Sequence, residues 1–235
     1  MPHAMVLDRF DAQQAASSSA ARHIAAALEA GIGARGAASF VATGGRTPGP
    51  VYAALHAAPL DWSRVWVTLS DERWVDETSP DSNAGLVRRL LLKGPAAAAR
   101  FVGLKTGHGT PEAAADEVEA RLASMPYPFD MVMLGMGDDG HVASLFPCNP
   151  NLAAAMRSGG LCMAMAPGPD GLAPTQPRMS LTLEAINAAR AVLIYITGED
   201  KWAVLQRALA GDDRDEMPVR AVLSRSAPVR VIWAP

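Results

Sequence analysis

Short apolar runs that alternate with segments of helical period constrain this 235-residue chain more than any single motif does. The runs are Ala37–Ala42, Val65–Asp71, Asp130–Leu134, Ala191–Thr197 and Val229–Trp233, with a weaker one at Leu161–Ala166. Each is short enough for a strand and mostly apolar, the pattern of strands covered on both faces. Between them, apolar residues recur at three- and four-residue spacing. Examples are Ala16, Ala20, Ile24, Ala27 and Leu28 within 11–31, Leu86, Leu90 and Leu91 after Ser82-Asn83, Val118 and Leu122 within 111–124, Leu183, Ile186 and Ala189, and Val204, Leu205 and Leu209. The alternation predicts a single α/β domain over residues 1–235, a mostly parallel sheet with helices on both faces. In such sheets ligands bind beyond the carboxyl ends of the strands, so polar loops at those ends should converge on one edge.

The richest of those ends follows Met131-Val132-Met133-Leu134, where the chain reads Gly135-Met136-Gly137-Asp138-Asp139-Gly140-His141 and then Val142-Ala143-Ser144-Leu145-Phe146-Pro147. Glycines let the backbone turn and let a ligand come close, and histidine is the side chain best suited to move protons near neutral pH. Gly135, Gly137 and Gly140 also satisfy the spacing of a dinucleotide-binding loop. That site needs a long following helix and an acid about 20 residues on. Here Pro147 and Pro150 cut off any such helix, and the next acid is Asp170, in a Pro/Gly stretch. Two aspartates inside the loop would repel a pyrophosphate. The loop is read as an active-site loop with His141 as its chemistry.

Two further strand ends carry polar residues. Ala37–Ala42 runs into Thr43-Gly44-Gly45-Arg46-Thr47-Pro48, with Thr47 expected as N-cap and Pro48 as the first residue of the next helix, a geometry that suits a phosphate. Val65–Asp71 leads into Glu72-Arg73-Trp74, which makes Asp71 and Arg73 candidates and leaves Glu72 as a surface or salt-bridged residue. Ser82 and Asn83 read first as a helix cap. Gly31 and Gly33 read as the stop of the first helix. Lys201 stands in the first turn of a predicted helix, where the dipole disfavours a cation unless an anion is near.

Composition closes off several classes. A net charge of −3 without charge blocks offers no face for nucleic acid, so an anionic substrate must be met by individually placed Arg and Lys. Asp8, Arg9 and Asp11 precede any apolar run, and neither a secretory signal nor a membrane span is visible. Cys148 and Cys162 form no CxxC or His cluster, which suits a reduced cytoplasmic protein. No paired histidines stand at metal-ligand spacing, and no metal or cofactor is implied. His3, His23, His56 and His108 lack the company that His141 keeps.

With these residues in hand, the chain resembles the 6-phosphogluconolactonases. The resemblance is carried by Gly44-Gly45-Arg46-Thr47-Pro48, Ser70-Asp71-Glu72-Arg73 with Ser82-Asn83, the Leu134 to Pro147 stretch, Pro177-Arg178 with Ser180-Leu181-Thr182, and Gly198 with Lys201, in the family's order over roughly residues 40–205. Thr43 and Val142 depart from it, where serine and threonine are usual. The resemblance implies a Rossmann-like sheet similar to that of glucosamine-6-phosphate deaminase. It implies that Gly44, Gly45, Arg46, Thr47, Arg178 and Lys201 hold a substrate phosphate, and that Asp71, Arg73 and His141 line a lactone.

Such an enzyme would hydrolyse 6-phosphoglucono-δ-lactone in the pentose phosphate pathway. His141 would act as general base on water, with Asp139 or Asp71 to orient it and Arg73 or a loop N–H facing the oxyanion. Ser144 is no candidate nucleophile, since G-x-S-x-G is missing. The expected partner is a small sugar-phosphate lactone, and the expected assembly a monomer or homodimer. Two rivals share features of the loop: a glucosamine-6-phosphate deaminase, which would release ammonia, and a sugar-phosphate sensor domain, which would keep the phosphate cradle without the base.

Overall fold

A computed structural model describes residues 5–235; His3 lies outside them. The chain runs β1 (Met5–Arg9), α1 (Gln13–Arg35), β2 (Ala38–Ala42), α2 (Gly49–Leu55), β3 (Val65–Leu69), β4 (Asp71–Arg73), α3 (Asn83–Leu90), β5 (Arg100–Phe101) and α4 (Pro111–Ala123). It continues β6 (Met131–Leu134), α5 (Leu152–Ala155), β7 (Cys162–Met165), β8 (Arg178–Leu181), α6 (Leu183–Ala188), β9 (Val192–Thr197), α7 (Glu199–Leu209), α8 (Val219–Leu223) and β10 (Val229–Ala234).

Seven strands form one sheet in the order β1-β10-β9-β6-β2-β3-β5, every pair parallel. The expected mostly parallel α/β sheet is what the chain builds. Its central strands β2 and β6 are buried at every position, which is why they read as unbroken apolar runs. From β2 the chain winds outward through β3 to β5. It then returns to β6, on the other side of β2, and winds the opposite way through β9 to β10. The order therefore reverses between β2 and β6, and a crevice opens beyond their carboxyl ends. Thr43 begins the loop after β2 and Gly135 the loop after β6. The topology alone brings the two glycine loops together.

Several elements escape the sequence pattern. β1 carries the Asp8 and Arg9 that precede any apolar run, yet it pairs along its whole length with β10, where Asp8 meets Arg230 and the Arg9 guanidinium lies 4.5 Å from the centre of the Trp202 ring. Such an edge strand tolerates charge because one side faces solvent. β4 and β8 join β7, the strand expected at Leu161–Ala166, in a separate three-stranded antiparallel sheet. β5 is two residues long, too short for any period to register.

Two expected boundaries also move. α1 runs past Gly31 and Gly33 to Arg35 and ends at Gly36, whose φ of 78° is the left-handed cap. Gly31 is instead a packing glycine, because a Cβ there would stand 2.8 Å from the Asp130 carboxylate and 2.9 Å from Ala38. Buried Asp130 anchors that corner by accepting from the Ser39 N–H at 2.8 Å and pairing with Arg35. α2 starts at Gly49 behind Pro48, and Thr47 makes no capping bond. α3 does begin as expected, with Ser82 as N-cap accepting from the Gly85 N–H, a bond that contributes about 1 kcal/mol.

Candidate active site

A cleft of about 510 Å³ lies over the β2–β6 crevice. Gly44, Gly45, Arg46, Thr47, Asp71, Arg73, His141, Arg178 and Lys201 all line it. The remaining candidate, Asp139, stands behind His141 and not on the wall.

The His141 side of the cleft is held by local geometry. Asp139 Oδ1 accepts from His141 Nδ1 at 2.6 Å and from the His141 backbone N–H at 3.1 Å. Because an ionised carboxylate can only accept, Nδ1 carries the proton and Nε2 is left as the basic nitrogen. Burial pushes the Asp139 carboxyl up, but the hydrogen bonds and charge of His141 outweigh it and hold the group below its ordinary value. The imidazole stacks on Phe146 at 3.9 Å between ring centres, which fixes the ring plane. Gly137 makes room for this arrangement, since a Cβ there would sit 2.0 Å from Nδ1. Gly140 turns the chain with φ 78° and packs against Met217.

The opposite wall is organised by Asp71. Its Oδ2 accepts from Ser144 Oγ at 2.6 Å and from Arg178 Nη1 at 3.2 Å, and its Oδ1 accepts from Ser70 Oγ at 3.0 Å. Asn83 Nδ2 donates to the Asp71 carbonyl at 2.8 Å. Of the two carboxylates proposed to orient His141, Asp139 therefore contacts the imidazole and Asp71 holds Arg178. β4 and β8 are the antiparallel pair that sets this register, with Asp71 opposite Ser180 and Arg73 opposite Arg178. Burial, reinforced by Arg73 and opposed by Asp71, pulls the Arg178 guanidinium below its ordinary value. The Nε atoms of Arg73 and Arg178 have no hydrogen-bond partner among the described residues. Both residues line the cleft, and two guanidiniums there favour an anion.

Glu72 is not at the surface and makes no salt bridge among the described residues, which corrects the sequence reading. It is fully buried and accepts from the Ser82 hydroxyl and from the backbone N–H groups of Arg73, Asn83 and Ala84. It ties β4 to the start of α3, and burial raises its carboxyl despite these bonds.

On the remaining wall, Gly45 adopts φ 88° and Gly44 lies against the Asn83 amide, where a Cβ would come within 1.9 Å of Oδ1. The Lys201 ammonium, the cation set against the α7 dipole, meets Asp138 Oδ1 at 2.6 Å. Asn83, Ser144, Phe146 and Asp138 are thus site-building residues that the sequence reading did not use. Each stood within or beside a quoted motif, but only the fold reveals its contact. Among the described residues no helix is long and apolar enough to cross a membrane.

The sequence model for glucosamine-6-phosphate isomerases/6-phosphogluconolactonase matches residues 11–233, and the chain belongs to that family. Relatives at 46% and 41% identity are 6-phosphogluconolactonases, the expected kind of hydrolase. The 6-phosphogluconolactonase of Pseudomonas aeruginosa is 46% identical over 219 residues, 92% of this chain and 89% of that protein. The crystal structure of a 6-phosphogluconolactonase from Shewanella baltica superposes with a TM-score of 0.95 at 41% identity, covering both chains fully. A monomeric glucosamine-6-phosphate deaminase shares the fold, with a TM-score of 0.79 at 17% identity over 97% of each chain.

Proposed function

We propose that this chain hydrolyses 6-phosphoglucono-δ-lactone to 6-phosphogluconate, the lactone-opening step of the pentose phosphate pathway, in the cytoplasm. The observation that carries the reading is a histidine held by a carboxylate through Nδ1, in the same cleft as Arg46, Arg178 and Lys201. Relatives named for this activity at 46% and 41% identity support it.

In this mechanism the phosphate sits among the Gly44 to Thr47 loop, Arg178 and Lys201. His141 Nε2 takes a proton from water as the water oxygen attacks the lactone carbonyl, and Asp139 stabilises the imidazolium that forms. Arg73 faces the oxyanion. As the intermediate collapses, the bond from the carbonyl carbon to the ring oxygen breaks and His141 returns its proton to that oxygen. A positioned base of this kind contributes on the order of 10² to 10⁴ in rate. Ser144 stays out of the chemistry because its hydroxyl is fully buried and donated to Asp71.

The test is acid release from freshly made 6-phosphoglucono-δ-lactone against a buffer control, with glucono-δ-lactone and glucosamine 6-phosphate in parallel. Fast turnover of the phosphorylated lactone with no ammonia from the amino sugar is the expected result. Ammonia release, or lactone hydrolysis at the buffer rate, would overturn the reading.

A further inference from the structure

The two aspartates of the base loop stand in different surroundings. Asp139 Oδ1 is committed to His141, accepting from both the His141 ring Nδ1 and the His141 backbone N–H. Asp138 points the other way, its side chain 85% exposed, and its carboxylate spans the cleft mouth to Lys201 on α7. The first turn of α7 already holds Glu199 and Asp200, so Lys201 does not lack acidic company on its own helix. Its ammonium nevertheless leaves that helix for the loop after β6 and ends at 2.6 Å from Asp138 Oδ1. Asp138 and Lys201 both line the cleft, so the pair lies where an anion entering the cleft would meet Lys201.

We propose that Asp138 is a built-in counter-ion and specificity element: it occupies Lys201 until the substrate's phosphate displaces it. The role rests on the reading of Lys201 as part of the phosphate subsite. An ion pair this exposed is weak, because solvent screens it and its long side chain loses freedom in making it. A phosphate carries more charge and more acceptor oxygens than one carboxylate, and it can bond Lys201, Arg178 and the glycine loop together. It therefore wins the exchange. A lactone without a phosphate cannot displace Asp138, and it meets a cleft whose lysine is already neutralised. Because Asp138 is next to Asp139 in the chain, the exchange also links phosphate arrival to the loop that carries the base.

The experiment compares wild type, Asp138→Asn, Lys201→Ala and the double variant. KM and kcat are measured for 6-phosphoglucono-δ-lactone, and the Kd of 6-phosphogluconate is measured by titration calorimetry. Asp138→Asn is expected to lower KM and Kd about two- to fivefold, the range an exposed ion pair supports. Lys201→Ala should raise both, and Asp138→Asn should add nothing on the Lys201→Ala background. If Lys201→Ala leaves both constants unmoved, the phosphate-subsite reading falls and takes the proposal with it. If Lys201→Ala raises them while Asp138→Asn leaves or raises them, or lowers them equally on both backgrounds, the counter-ion role is overturned and the subsite stands.

Discussion

His141 finds its partners within a few positions of itself, Asp139 two residues back and Phe146 a turn ahead, whereas Asp71 reaches 12, 73 and 107 residues along the chain to Asn83, Ser144 and Arg178. Both groups face one cleft. The first is a loop that orients its own side chains through glycines and a local hydrogen bond. The second is a buried network that exists only when the small antiparallel sheet has formed beside the large parallel one. The difference teaches that the chemistry of this site and the placement of its cations depend on separable parts of the fold. Damage to the loop should be catalytic and leave stability nearly intact, while damage to the Asp71 network should reach both.

The sharpest separation comes from His141→Ala. We expect kcat to drop on the order of 10²- to 10⁴-fold, with a thermal midpoint close to wild type, measured by acid release and calorimetry. Next in size is Asp71→Ala, which leaves Arg178 in the wall without its carboxylate. Removing one partner of a buried pair costs about 3–5 kcal/mol, so denaturant unfolding should show a loss of that order together with a raised KM. An Asp71→Ala protein as stable as wild type would break the comparison.

The smallest effect concerns Asp139 and is read from pH. A carboxyl held below its unfolded value adds stability above that value and loses it as pH falls through the lower, folded value. Asp139 is such a group. Wild type should therefore exceed Asp139→Asn in stability from neutral pH down to about pH 4, the ordinary range of an aspartate, and the gap should close below it. A gap that closed already near pH 6 would contradict the assignment.

Much of this could be read from the chain, for reasons that differ by region. The central strands declare themselves because burial on both faces leaves them uniformly apolar. The loop after β6 is legible because Gly137, Asp139 and His141 interact across two to four positions. The walls around Asp71 and Arg178 are visible as motifs, but not as contacts. Nothing near Ser144 indicates that its hydroxyl serves Asp71, since the two are 73 residues apart and meet only where the Ser144 N–H donates to the Ser180 hydroxyl, opposite Asp71 on β8. Glu72 misled for the same reason: a carboxylate between Asp71 and Arg73 looks like a surface charge until α3 folds its N-terminus onto it. Thr47 failed as a cap because α2 begins two residues later, with Pro48 before it and no side-chain bond needed. β1 escaped because its charges are accommodated at an edge.

The central claim is that His141 and Asp139 act as one unit while the Asp71 network only holds the cations. The most direct test is kcat for His141→Ala, Asp139→Asn and the double variant on 6-phosphoglucono-δ-lactone. Residues that work as a unit are strongly non-additive, so the double variant is predicted to be no slower than His141→Ala alone. If the two losses instead multiplied, or if His141→Ala kept wild-type turnover, the dyad would not be the catalytic centre.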